Sequence, residues 1–118
     1  MGARTNFVIK TTSNPSENIV LYSHWGGDSS ESDFAHAISK AMPRIKMGDT
    51  SYAARIIVSQ LIGGDWESET GFGLYVGEVN HEEQYTYKEI DLVDGTVTIG
   101  DHTTSIQSFL DYKLGVPA

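Results

Sequence analysis

The sequence predicts an α+β domain, a mainly antiparallel sheet with helices packed on one of its faces. Three observations carry that expectation. Short runs rich in Val, Ile, Phe and Tyr occur in both halves of the chain, two central segments repeat apolar residues at three- and four-residue steps, and the strand-like runs are joined by turn-forming stretches rather than helical crossovers. With 118 residues, 39% of them hydrophobic and 20% charged, the composition is that of one globular domain covering 1–118.

Thr5 to Lys10 and Asn18 to Ser23 are the first two strand-like runs. The intervening Thr11-Thr12-Ser13-Asn14-Pro15-Ser16-Glu17 favours turns, so a hairpin with a long loop is expected. Gly26-Gly27-Asp28-Ser29 then breaks the chain, and Ser30 followed by Asp33 resembles a helix start. Phe34, Ala37, Ile38, Ala41, Met42 and Ile45 form one helical stripe, which Pro43 is expected to end or kink near Ala41 because proline has no amide hydrogen. A second helix starts at an Asp49 or Thr50 cap, repeats apolar residues from Tyr52 to Leu61, and stops at Gly63-Gly64.

Gly71 to Val79 and Gln84 to Val93 both look extended, with four polar residues between them, and predict a hairpin. Asp94-Gly95 is a two-residue hairpin signal leading into Thr96-Val97-Thr98-Ile99, so these three strands are expected to form a meander. Thr103-Thr104-Ser105 would cap a short last helix through Tyr112. The predicted order is ββααβββα.

Charge separates the two halves of the chain. Residues 1–62 hold six basic and five acidic side chains, whereas 63–118 hold two basic and eleven acidic ones, which accounts for the net charge of −8. A surface of that sign repels phosphate backbones, so direct nucleic-acid binding is disfavoured and a basic partner is favoured. Glu78, Glu82, Glu83, Glu89, Asp91 and Asp94 are the candidate partner-binding acids. The absence of cysteine removes disulfides, thiolate metal sites and cysteine nucleophiles, and fits a cytoplasmic location. The opening residues lack the apolar stretch of a signal peptide, and no apolar run approaches the roughly 20 residues that span a bilayer, so no membrane association is expected.

The densest group of potentially functional side chains is Tyr22-Ser23-His24-Trp25-Gly26-Gly27-Asp28, where a strand exits toward the first helix. Glycines let backbone approach a ligand closely, and the aromatic and imidazole groups supply a stacking face and a titratable donor. Tyr22, His24, Trp25, Gly26, Gly27 and Asp28, with Arg55 and Glu69, are therefore the candidate ligand-binding residues; the bland alternative is that Tyr22 and Trp25 are core aromatics at a chain turn. Arg55, charged among apolar neighbours, is expected to form an ion pair at the core edge with Asp28 or a loop acid. His24, Asp28, His36, His81 and His102 lack the spacing of metal ligands, and Ser23 beside His24 is adjacency rather than a catalytic triad. Asp65, Glu67 and Glu69 lack the pattern of a calcium loop, and Gly71-Phe72-Gly73 lacks the third glycine of a nucleotide-binding turn. No catalytic residue, cofactor or metal is expected.

Met1-Gly2-Ala3-Arg4 leading into Phe7-Val8, then Leu21-Tyr22-Ser23-His24-Trp25-Gly26-Gly27, Tyr52-Ala53-Ala54-Arg55-Ile56-Ile57 and Glu69-Thr70-Gly71-Phe72-Gly73, resemble a family of small proteins of bacteriophages, notably those of actinobacteria, and of bacteria. The resemblance spans about residues 1–75. It implies a phage or bacterial cytosolic origin and assigns no activity. On these grounds the expected function is that of a non-catalytic module engaging a basic host protein through its acidic C-terminal surface. A small enzyme or nucleotide-binding regulator would instead need Tyr22, His24, Trp25, Asp28, Arg55 and Glu69 to converge on one pocket, and a minor virion or assembly component is a third possibility.

Overall fold

The computed structural model describes residues 5–24, 30–79 and 87–115. Its central strand, β1 (Thr5–Lys10), carries the continuous apolar run Phe7, Val8 and Ile9, all buried. Strand β2 (Ile19–Ser23) pairs with it antiparallel, Phe7 opposite Leu21, after a loop in which Asn14 caps a 3-10 turn at Pro15–Glu17 by accepting the Ser16 amide at 3.1 Å. On its other side β1 pairs in parallel with β4 (Lys88–Asp91), Ile9 opposite Ile90. Strand β3 (Phe72–Val76) joins β2, while β5 (Thr96–Ile99) and β6 (His102–Ser105) extend the sheet beyond β4. The six-stranded order is β3-β2-β1-β4-β5-β6, and only the β1–β4 pair is parallel.

The α+β class and the mostly antiparallel sheet agree with expectation, but the element order is ββααββββα and two pairings differ. β3 and β4 do not form a hairpin, and β3 does not belong to a meander; the two strands lie three places apart, separated by β2 and β1. Burial explains the choice. Lys88, Ile90 and Asp91 of β4 are buried, as befits a strand with neighbours on both sides, whereas Leu74, Tyr75 and Val76 of β3 are exposed and occupy an edge. Local periodicity predicts that each segment is extended; it carries no information about which apolar neighbour completes the ladder.

The Asp94-Gly95 signal does mark a turn, but the loop has four residues, because Asp91 pairs with Thr96. The Asp91 carboxylate accepts the amides of Val93 and Asp94, each at 2.9 Å, and its carbonyl accepts the Gly95 amide at 2.8 Å. The two-residue turn comes next, at Gly100-Asp101, where Ile99 pairs with His102 and Gly100 takes φ +63°, a conformation disfavoured for residues with a Cβ. Thr103 and Thr104 therefore lie in an additional strand, consistent with their β-branching, and Ser105 alone caps the last helix by accepting the Ser108 amide at 3.1 Å.

Three helices pack on one face: α1 (Ser30–Lys46), α2 (Thr50–Ile62) and α3 (Ile106–Leu114). The strand residues in their common core, Phe7, Ile9, Leu21, Ile90 and Val97, all share one phase of the pleat. Phe34 sits at the centre of this layer, its ring 5.2 Å from Phe7 and 6.1 Å from Phe109. Pro43 does not end α1 near Ala41; the helix continues to Lys46. Proline removes only the bond to the Ser39 carbonyl, while Met42 and Ile45 still pack against the core. Helix α2 follows the expected caps, with Asp49 accepting the Tyr52 amide at 3.4 Å and Gly63 ending it.

The β2–β3 pairing has a direct chemical test in a chain without native cysteine. Ile19 and Val76 are opposed, so Ile19→Cys with Val76→Cys is expected to form an intramolecular disulfide under mild oxidation. Leu74→Cys with Glu89→Cys, which a β3–β4 hairpin would bring together, is expected to form none. Mass measurement before and after reduction reads both.

Candidate functional site

Among the described residues, no strand pairs with the side of β3 that faces away from β2, which leaves it a sheet edge. The Gly77 amide donates to the Asn18 carbonyl at 2.9 Å and the His24 amide to the Gly71 carbonyl at 2.8 Å, which fixes the phase of the ladder. In an antiparallel pair the residues facing the partner alternate, so Gly73 and Tyr75 turn their main-chain groups toward β2, and Phe72, Leu74 and Val76 turn theirs outward. The side chains of those three residues share the face on which the helices lie. Leu74 is 56% and Val76 66% exposed.

Helix α2 lies across a groove from them, with Ala54 and Val58 on the wall opposite Leu74, and does not cover them. Helix α2 stops at Ile62, and the chain continues through a 3-10 turn at Gly63–Asp65 that places Trp66, 54% exposed, beside the strand. Between them lies a groove of about 420 Å³ lined by Ile19, Ala54, Val58, Trp66 and Leu74, with hydroxyls of Thr11, Thr12, Thr50 and Ser51 on its wall. Burying a side chain the size of Leu or Val stabilises by about 1.5–3 kcal/mol, so this edge holds unused apolar free energy. Asp65, Glu67, Glu69 and Glu78, all exposed, lie in the segments flanking β3, and Arg55 is the one cation in the groove wall. The opposite edge, β6, differs in kind: it is polar, and Thr103 shares a hydroxyl hydrogen bond of 2.8 Å with Thr98. Polar edges discourage further pairing; apolar, flat ones invite it.

A second cluster is buried. Lys88 is fully enclosed on the helix-bearing face, and its Nζ donates to Thr5 Oγ1 at 3.3 Å in a region where Thr5, Ser23 and Ser30 are also buried. Burial pushes the ammonium below the ordinary lysine range; the Glu31 carboxylate opposes that shift and the Lys113 charge reinforces it. Glu31 and Lys113 are themselves paired at 2.6 Å on the wall of a cavity of about 490 Å³ between α1, α3 and the β5–β6 hairpin. Sequence reading passed over Lys88, although one signal was present: it falls in the same strand phase as Ile90, and that phase faces the core.

The structure divides the ligand-binding residues expected from sequence. Tyr22 and His24 lie on the sheet face opposite the helices, joined by a hydrogen bond of 3.0 Å between the phenol and Nδ1. Arg55 is on α2, on the other side of the sheet, exposed, and paired with no described acid, so the expected ion pair at the core edge is absent among the described residues. Glu69 is exposed in the loop before β3. Trp25, Gly26, Gly27 and Asp28 lie outside the described residues. Tyr22, His24 and Arg55 thus do not converge on one pocket.

The acidic set is divided too. Glu78 follows β3, while Glu89, Asp91 and Asp94 belong to β4 and its turn, with β2 and β1 between. Glu89 accepts the Tyr87 hydroxyl, and burial, with this hydrogen bond and the Glu89 charge, raises the phenol above its ordinary pKa. Asp91 holds its turn and reaches Lys10 at 4.0 Å. Asp94 is exposed; Glu82 and Glu83 lie outside the described residues. Among the described residues no group of three or more His, Asp or Glu side chains is placed to hold a metal ion, and no helix is long and apolar enough to cross a membrane. No protein-family model, curated protein or solved structure matches this chain.

The lowered pKa of Lys88 has a signed consequence for stability. Between its native value and the ordinary value of about 10.4, the unfolded chain binds the proton more often than the native one, so stability rises with pH across that window. Comparing urea midpoints of the wild type and Lys88→Met from pH 7 to pH 10, the wild type is expected to gain on the variant as pH increases. A constant difference would mean an ordinary lysine.

Proposed function

We propose that this protein is a non-catalytic binding module that takes up an extended segment of a partner protein as a seventh strand on β3. The observation that carries the reading is the outward turn of the main-chain groups of Phe72, Leu74 and Val76 beside exposed apolar side chains. Strand addition of this kind draws affinity from main-chain hydrogen bonds and selectivity from alternate side chains, which here enter the groove between Leu74 and Trp66. The net charge of −8 supports a basic partner, and the resemblance to bacteriophage proteins supports a host protein in that role.

Leu74 offers a variant that separates strand addition from folding. Its amide points away from β2, so Leu74→Pro removes an outward donor without removing a bond of the native ladder, and proline is tolerated on an edge in that orientation. Peptides selected from a displayed library against the wild type are expected to slow amide exchange at Leu74 and Val76 while leaving the protected Gly73 and Tyr75 amides unchanged. The same peptides are expected to lose binding to Leu74→Pro and to retain measurable binding to Leu74→Ala. Full binding to Leu74→Pro, or protection confined to the Tyr22–His24 face, would overturn the reading.

A further inference from the structure

We infer a specific side-chain pattern for the partner: one large apolar residue seated in the groove between Leu74 and Trp66, with a basic residue about four positions away on each side. The inference rests on the strand-addition reading above. It follows from what the helix-side face of a seventh strand would meet along β3.

At the centre is the apolar groove of Ile19, Ala54, Val58, Trp66 and Leu74, whose volume of about 420 Å³ accommodates a leucine or phenylalanine side chain. Arg55 forms part of its wall, so a cation at this central position would meet a like charge. The signs reverse toward both ends. Glu78 stands four residues beyond Leu74 and Glu69 five residues before it, both exposed. Glu69 lies three residues before the start of β3 and Glu78 two residues past its end, so carboxylates flank the strand at both ends.

The same charges argue against a second copy of this chain as the occupant. An antiparallel pairing of two β3 edges centred on Leu74 would bring Glu78 opposite Thr70 and Glu69 opposite Val79, gathering both sets of carboxylates at each end. Two chains of charge −8 would meet there, with Arg55 the one cation among the described residues that line the groove. A basic-apolar-basic extended segment removes that repulsion and covers the exposed Leu74 and Trp66 together.

Fluorescein-labelled peptides test the pattern by anisotropy. The reference, Lys-Thr-Val-Thr-Leu-Thr-Val-Thr-Lys, places its leucine and both lysines on one face of a strand. It is expected to bind the wild type at least about tenfold more tightly than the peptide with both lysines replaced by glutamate at about 50 mM salt, and the gap is expected to shrink at about 300 mM. Replacing the central leucine by threonine is expected to weaken binding by about tenfold or more at either salt. In the double variant Glu69→Lys with Glu78→Lys, the charge preference should reverse while the dependence on the central leucine persists. Equal binding of the lysine and glutamate peptides, both lost in Leu74→Pro, would overturn the pattern and leave strand addition standing. Failure of the reference peptide to bind would also overturn the pattern, whereas tight binding to Leu74→Pro would overturn strand addition itself.

Discussion

The parallel pairing of β1 with β4 is the constraint on which the other features depend. By placing Ile90 beside Ile9 it commits β4 to the centre of the sheet, which leaves β3 no position except the far side of β2. The same register sets Lys88 opposite Phe7, in the phase that faces the helices, and so encloses an ammonium group in the core. Both the open edge and the buried lysine are consequences of one alignment between two strands. A shift of that alignment by one residue would turn Lys88 outward, Ile90 with it, and the sheet would lose its apolar floor.

The two sheet edges show how differently a protein can treat the same hazard. β6 carries Thr, His and Ser, and its hydroxyls are used within the sheet, so little is gained by adding another strand there. β3 carries Leu, Tyr and Val, and α2, across a groove from the strand, leaves Leu74, Tyr75 and Val76 exposed. An apolar edge of this kind is an aggregation liability unless something opposes self-association. The acidic residues on both sides of β3 supply the opposition by charge, which discourages identical chains while leaving the main-chain groups available to a partner of the other sign.

How much of this was legible in the sequence depends on the distance over which each feature is decided. The bounds of α2 were readable because Asp49 and Gly63 act on their own helix ends, and β1 was readable because its apolar run is continuous. Helix α1 ran past Pro43 since tertiary packing of Ile45 outweighed one missing hydrogen bond, a contribution invisible to local rules. The β3–β4 hairpin was misread because a short polar spacer is compatible with either a turn or a crossing. β6 was missed because Ser, Thr and their hydroxyls suit both a helix cap and a strand. The candidate edge could not be read at all from residue types: Leu74 and Trp66 look like core residues, and only the strand order and the groove between α2 and β3 leave them outside.

The buried hydrogen bond from Lys88 to Thr5 joins residues 83 positions apart. A contact of that span carries a loop-entropy cost, because the chain between its ends must be ordered for it to form. Without β4, the unit formed by β1, β2, β3 and the first two helices would have two open edges, β1 as well as β3. The apolar Phe7-Val8-Ile9 segment would be the more dangerous of the two. Pairing of β4 thus does more than complete a ladder: it covers the apolar edge of β1 and leaves β3 as the apolar edge, flanked by carboxylates.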